Sequence, residues 1–352
     1  MIFGMNDYIV APPYYYYSSK IIWHNYLISN YTNQTMSQLS NNQGRGYEYV
    51  CLCELYNAVK EIRPAEIVKN SSLEAAKRAY DTLSESEREI YSKSAKAMIP
   101  AIFESEPQII EDDQDVLSLF IQQDEEGEKG DVRDVIIARS ALKWEIGLSI
   151  KHNHFAVKHS RLSPTIDFGD KWFGVPCSQD YWNKVNPVFN YLEEAKNTKK
   201  KFNELPDKDT QVYKPIIAAF IEEINRQYTK HTDLPKKMVE YLLSRYDFYK
   251  VISIDSQRLT QVQAYNLHGS LNKPSKKQKP KIIVPIASLP TRIIKIDFYP
   301  GRNNTAELFM DNGWTFTFRI HNAETYAAPT LKFDIQIKGM PTDILTINCI
   351  WK

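Results

Sequence analysis

The sequence predicts an α/β fold with additional helices and a β-rich C-terminal region. Three observations carry this expectation. Leu142 to Lys151 alternates for ten residues, with Leu142, Trp144, Ile146, Leu148 and Ile150 on one face and Lys143, Glu145, Gly147, Ser149 and Lys151 on the other; a period of two is that of a half-buried strand. Between Gly44 and Glu104 apolar residues recur at helical spacing, punctuated by capping signals. After Lys281 the chain breaks into six short β-prone runs separated by turn sequences.

Composition sets the outer bounds. With 352 residues, 43% hydrophobic and 25% charged, the chain is an ordinary globular one with room for two domains. A net charge of +1 gives no global basic field, so any nucleic-acid surface must be a local patch. The four cysteines, Cys51, Cys53, Cys177 and Cys349, show no zinc spacing and read as reduced thiols of a cytoplasmic protein. No apolar run reaches the roughly 18 residues of a membrane span, and no signal-peptide pattern precedes the fold. Residues 1–43 read as a disordered or non-native extension, with Met36 as an alternative start.

In chain order, GRGYEYVCLCELYNAVKEI from Gly44 to Ile62 has helical spacing and stops at Arg63-Pro64. Glu48 near its start is either an exposed first-turn acid favoured by the helix dipole or an acid delivered to a metal site. Ile67 to Lys69 reads as a short strand. Asn70-Ser71-Ser72 caps a helix from Leu73 to Leu83, and Ser84 with Glu87 forms a capping box for a helix running toward Glu104. Glu111 to Asp131 holds nine acids against one lysine and reads mostly as a solvated loop, with Val116 to Ile121 a short helix or strand.

The run Asp134 to Arg139 is β-branched and apolar, a partner strand for Leu142 to Lys151 with Ser140 and Ala141 at the turn. Antiparallel pairing across that turn sets Asp134 opposite Gly147, so Asp134, Glu145, Ser149 and Lys151 share one face. Two carboxylates and a lysine beside a glycine are the ingredients of a Mg²⁺-dependent phosphodiesterase site. The same pattern also describes a solvated hairpin with a polar face. Lys151, His152, His154, Lys158, His159 and Arg161 then crowd eleven positions with no acid before Asp167, a composition suited to phosphate contacts. His152 and His154 are spaced for one strand face but have no carboxylate or cysteine at matching ligand spacing.

Asp167 to Trp182 reads as an ordered loop with aromatic anchors, and Lys196 to Lys201 as a solvated helix end. Tyr213 to Tyr228 and Pro235 to Tyr246 are expected helices, and Lys250 to Ile254 a strand. LNKPSKKQKPK, from Leu271 to Lys281, reads as a linker between a domain over 44–270 and a β-rich domain over 282–352. The β runs of the latter are Ile282–Pro285, Ile293–Phe298, Thr305–Met310, Trp314–Ile320, Lys332–Ile337 and Ile344–Trp351, with Asp311-Asn312-Gly313 a hairpin signal. Arg319, His321 and Asn322 leave the end of one of these strands together, either as a polar strand end or as base-edge or phosphate contacts.

Several long blocks then become specific: KGDVRDVIIARSALKWEIGLSIKHNHFAVKHSRLSPTIDFG, the earlier GRGYEY and IVKNSS, the later YDFYKVISID, and the C-terminal FRIHNA and LKFDIQIKG. Together they resemble the HaeIII family of type II restriction endonucleases, from about Gly44 onward. The resemblance implies Mg²⁺-dependent hydrolysis of double-stranded DNA at a short palindrome, GGCC, by a homodimer, and a cognate DNA methyltransferase that protects the host. It also implies a PD-(D/E)XK-like core: a central mixed sheet flanked by helices, a metal-binding Asp on one strand and an acid-x-Lys on the next. Asp134 and Lys151 match that pattern. Ser149 stands where the acid is expected, and Arg133 where a proline precedes the Asp. The second acid is then Glu145, Glu48 or Asp131, with Ser149 orienting a water or ligand. DNA contacts fall to His152, His154, Lys158, His159, Arg161, Arg319 and Asn322. A nicking or structure-specific nuclease, or a DNA-binding protein whose cleavage site has decayed, are the alternatives.

Overall fold

The computed structural model describes residues 29–123, 130–154 and 160–352, with side chains from residue 42 onward. Residues 42–352 form one compact unit. The expectation of a disordered or non-native extension falls, for residues 1–28, outside the described residues. The first helix, α1, runs Ser29–Lys60, so it begins upstream of Gly44. It is followed by β1 (Ala65–Ile67), α2 (Ser71–Asp81), α3 (Glu85–Ser105), α4 (Pro107–Ile110), β2 (Leu117–Ile121), β3 (Val135–Arg139), β4 (Trp144–His152) and β5 (Arg161–Leu162). Then come α5 (Phe168–Phe173), α6 (Gln179–Asn197), α7 (Lys214–Tyr228), α8 (Leu234–Leu242), β6 (Phe248–Ile254) and β7 (Leu259–Tyr265). The chain ends in β8 (Ile293–Phe298), β9 (Thr305–Met310), β10 (Thr315–His321), β11 (Leu331–Gly339) and β12 (Thr346–Ile350).

The strands build two sheets. The larger is mixed, in the order β1-β2-β3-β4-β6-β7-β12, and the smaller is β5-β11-β10-β9-β8. One face of the mixed sheet is closed by α1 and α3: Tyr47, Val50 and Leu55 with Tyr91, Met98 and Ile102 pack on Leu119, Ile137, Ile146, Leu148, Ile150 and Val251. From Ile146 to Ile150 the apolar half of the alternation is therefore core, as its period requires, with Trp144 half-buried at its edge. Helices α5 to α8 pack on the smaller sheet through Phe168, Trp172, Phe220, Phe318 and Phe333. Local chemistry fixes the helix starts. The Asn70 side chain accepts from Leu73 N at 2.8 Å, and Ser84 and Glu87 make the reciprocal capping box, each device worth about 1 kcal/mol.

The β3–β4 hairpin is tighter in pattern but longer in turn than expected. A 3-10 turn over Ser140–Leu142 is closed by Lys143 at φ 51°, so Ile136, not Asp134, faces Gly147. The register moves by two residues, which keeps every side chain on its expected face. Leu142 lies in that turn, exposed, rather than in the strand. The same device joins β6 to β7, where Asp255–Gln257 is followed by Arg258 at φ 49°. No sequence signal had marked β7.

Other expectations change. Asp167 to Trp182 is helical: Asp167 caps α5 by accepting from Asp170 N at 3.0 Å, Gly174 ends it at φ 72°, and Ser178 caps α6. The dense Pro, Gly and aromatic content masked two short-range caps. The described part of the acidic run is no solvated loop. Glu111, Asp113 and Asp115 enclose the fully buried Arg139, and Asp115 also holds Arg63. Residues 282–285 form no strand: Ile282 lies in a bend and 283–285 have no regular structure. The chain does not divide at Leu271–Lys281: Asn272 N donates to Glu106 at 2.6 Å and Lys277 N to Glu111 at 2.9 Å. β12 completes the mixed sheet, and β5 from the other side of that segment completes the smaller one.

Candidate active site

Asp134 sits one residue before β3, and its backbone N–H donates to Leu148 O at 2.7 Å. That bond aligns it with the end of β4, where the strand's polar face emerges from between the packed layers. Asp134 Oδ2 accepts from Ile150 N at 2.6 Å, from Lys151 Nζ at 2.9 Å and from Ser149 Oγ at 3.3 Å. A carboxylate held by a backbone N–H is fixed by the sheet itself rather than by a mobile side chain. Lys151 is raised above the usual lysine range: burial opposes its charge, but the carboxylates of Asp134 and, from α1, Glu48 outweigh it. Lys250 on β6 pairs in register with Ser149. Burial, then the nearby Lys151, push it down to about 7 against the pull of Asp134.

These groups lie on a cleft of about 1630 Å³, larger than the usual small-molecule pocket. Asp134, Ser149, Lys151 and Glu48 line one side, and Arg45, Arg161, Lys171, Lys237 and Arg245 supply positive charge around it. The far wall is α5 and α8, with Trp172 stacked on Tyr241 at 5.3 Å between ring centres. The outer wall thus comes from the helices packed on the smaller sheet, and the floor from the mixed sheet.

Of the residues singled out in the sequence, the structure brings Asp134, Ser149, Lys151, Glu48, His154, Arg161 and Asp131 to this cleft. Asp131 is buried and engaged by Arg133, at 2.8 Å from Nε and 2.7 Å from Nη2. Glu145 is 48% exposed, pairs with Arg133 at 2.9 Å and is not among the cleft-lining residues. His152 lies on the opposite face, 2.7 Å from Asp255 and 3.3 Å from the Tyr91 hydroxyl, where it packs edge-on to Tyr91. Strand alternation separates it from Lys151. Arg319 pairs with Asp334 at 2.9 Å, and Asn322 closes a turn by donating to Tyr326 O at 3.0 Å; neither lines the cleft. Lys158 and His159 lie outside the described residues.

The sequence marked Arg133 only as standing in place of a proline and Lys250 only as the start of a strand, and gave neither a part in the site. Arg133 bridges Asp131 and Glu145 and lies 4.2 Å over the Tyr246 ring. Its path explains Gly147: a Cβ there would come within 2.1 Å of Arg133 Cδ and 2.7 Å of its Cβ. Gly147→Ala is therefore expected to force the strand and Arg133 apart and cost about 1–3 kcal/mol, read as a lower thermal midpoint; an unchanged midpoint would show that the arginine relocates freely. A usable signal for Lys250 did exist. It is a charge in the middle of an otherwise apolar β run, Phe248 to Ile254, and buried lysines are rare without a reason.

The donor set fits a hard cation. Among the described residues no group of three or more His, Cys, Asp or Glu converges. Mg²⁺, however, is usually held by one or two carboxylates together with waters and substrate phosphate, and Asp134 and Glu48 both act on the Lys151 ammonium. Among the described residues no helix is long and apolar enough to cross a membrane.

The model of the HaeIII restriction endonuclease family matches residues 44–341. Over 318 residues, 90% of this chain and 100% of the relative, the sequence is 51% identical to the Type II restriction enzyme HaeIII of Haemophilus aegyptius. No solved structure matches.

Proposed function

The chain belongs to the HaeIII restriction endonuclease family, and from that premise we propose that it hydrolyses duplex DNA at GGCC with Mg²⁺ held by Asp134 and Glu48. The observation that carries the chemistry is the Lys151 ammonium, 2.9 Å from Asp134 and under the field of Glu48, at the edge of a basic cleft. In this reading the core is PD-(D/E)XK-like, with Asp134 and Lys151 in the expected places. Ser149 replaces the acid on β4, and Glu48 makes good the loss from α1. Glu145, engaged by Arg133 away from the cleft, takes no part in metal binding.

Bound there, Mg²⁺ would supply Lewis-acid stabilisation of the phosphate charge. Lys151, 2.9 Å from Asp134, places its ammonium beside the site that would hold the metal. It offers a fixed positive charge to the phosphate oxygen on which charge builds in the transition state. The Ile150 N–H and Ser149 hydroxyl keep Asp134 aimed, so the carboxylate need not reorganise during the reaction. Arg161 and Arg45 hold flanking phosphates at the cleft rim. A palindromic target calls for a two-fold homodimer, each subunit cutting one strand, and a DNA methyltransferase acting at the same site protects the host.

A plasmid digest with and without Mg²⁺ tests this directly. Discrete fragments ending within GGCC, and protection by methylation of that site, are expected; binding without cutting would favour a decayed enzyme, and nicked circles a nicking enzyme. The choice of second acid has its own test. Glu48→Gln is expected to slow cleavage roughly a hundredfold or more, since several kcal/mol of charge stabilisation are at stake, whereas Glu145→Gln is expected to stay within about tenfold of the wild type, or ~1.4 kcal/mol. The reverse order of effects would return the role to Glu145.

A further inference from the structure

Three adjacent strands of the smaller sheet place basic side chains in one row. Arg161 on β5 faces Lys332 on β11, and Lys332 faces His321 on β10. Directly opposed residues point to the same side of a sheet. Their sequence neighbours Leu162, Leu331, Phe333 and Ile320 are all buried in the core, so the row lies on the outer face. Arg161 is exposed, and Lys332 and His321 are half-buried.

Folding alone gives no reason for this arrangement. Like charges directly opposed in a sheet destabilise it. Among the described residues neither Arg161 nor Lys332 has an ion pair within 4 Å. Three carboxylates share this face: Asp334 stands one row along and accepts at Oδ2 from Arg319 Nη2 at 2.9 Å, while Glu307 and Asp297 stand two rows along, on β9 and β8. Lys332 is depressed by burial and then by Arg161, with Asp334 only partly compensating. His321 Nδ1 is buried with no hydrogen-bond partner. An anion over the row would relieve the repulsion between Arg161 and Lys332.

The row is continuous with the active-site cleft. Arg161 lines that cleft. His154, another lining residue, is lowered chiefly by burial and feels the charges of Asp334, Lys250, Lys151 and Lys332. A DNA strand lying in the cleft beside Lys151 would meet the row at Arg161, its end residue. Lysine and arginine without a paired acceptor contact phosphate oxygens rather than read base edges.

We propose that Arg161, Lys332 and His321 form a phosphate subsite that holds the DNA backbone beside the scissile bond, so that the smaller sheet is a DNA-binding surface. This rests on the DNA-cleaving function proposed above. Because the contact is to backbone, it adds affinity without adding sequence preference.

The test measures binding of the full chain, in EDTA, to two duplexes of equal length, one containing GGCC and one with that site scrambled, across a salt series. Lys332→Gln and Arg161→Gln are each expected to weaken binding several-fold, equally for both duplexes, and to make the salt dependence shallower by about one unit of slope. Lys332→Arg should keep the wild-type slope. Lys295→Gln, on the far strand β8 and paired with Asp297 at 3.0 Å, serves as a charge-matched control and should leave the slope unchanged. Without DNA, Lys332→Gln should melt at the wild-type temperature or above it, because a repulsion has been removed. An unchanged slope in both variants, a loss confined to the GGCC duplex, or a marked fall in melting temperature would each overturn the subsite. Wild-type protein that neither binds nor cuts either duplex would instead overturn the function on which the subsite rests.

Discussion

Lys151→Ala is expected to abolish cleavage, by about a thousandfold or more, while DNA binding in EDTA falls only a few-fold. The asymmetry follows from what Lys151 touches. Its ammonium is 2.9 Å from Asp134 and 27% exposed, so it is one of many positive charges a bound duplex would meet, and its loss removes about one phosphate contact. In the transition state of the proposed mechanism it is different, because there it would face the phosphate on which charge accumulates. Removing a fixed group of that kind typically costs 10²–10³-fold or about 3–4 kcal/mol, and here Asp134 also loses the partner that keeps it aimed. Lys151→Arg is not expected to restore the rate, because a planar fork does not replace a compact ammonium. Discrete-fragment assays over a dilution series provide the measurement. Cleavage by Lys151→Ala within tenfold of the wild type would remove Lys151 from the mechanism.

Arg139→Leu is expected to produce the largest loss of stability of any single change in the mixed sheet, about 3–5 kcal/mol. Arg139 is fully buried and reaches Asp115 at 2.6 Å and 2.9 Å, Glu111 at 3.1 Å and Asp113 at 3.2 Å. Removing it leaves the buried Glu111 and the mostly buried Asp115 with too little positive charge. The effect carries a pH signature. Arg139 draws Asp115 down to about 2, with Arg63 contributing less, against an unfolded value near 3.9. A carboxyl lowered on folding stabilises the native state above its unfolded pKa, and that stabilisation is lost as pH falls through the folded one. The gap between wild type and Arg139→Leu, followed by denaturant unfolding, should therefore narrow between about pH 4 and pH 2. A gap that stays constant over that window would mean the arginine acts by packing alone.

The legible parts of this protein were those written in short-range chemistry. The alternation from Leu142 to Lys151 named its own buried face, and Asn70, Ser84 and Glu87 named two helix starts. Asp134 and Lys151 were legible because they are neighbours across one hairpin, and a two-residue error in the turn leaves the faces unchanged. The second acid proposed above was not, because Glu48 comes from a helix more than eighty positions away and no period in the sequence records which helix end meets which strand end. His152 was misjudged for a related reason. Counting basic residues along a chain ignores alternation, and alternation sends His152 to Asp255 and Tyr91 while its neighbour faces the cleft. The expected linker failed because its lysines read as solvent-seeking, whereas backbone groups of Asn272 and Lys277 dock on the carboxylates of Glu106 and Glu111.

The pairing of β5 with β11 and of β7 with β12 also bears on when the enzyme becomes dangerous. Both contacts join segments distant in sequence, and such closures are entropically expensive and come late in folding. Until β11 is in place, β5 has no partner in the smaller sheet, and Arg161, which lines the cleft, is not held there. A chain caught partway to its native state thus lacks a complete cleft, and the capacity to cut DNA arrives with the final cooperative step rather than ahead of it.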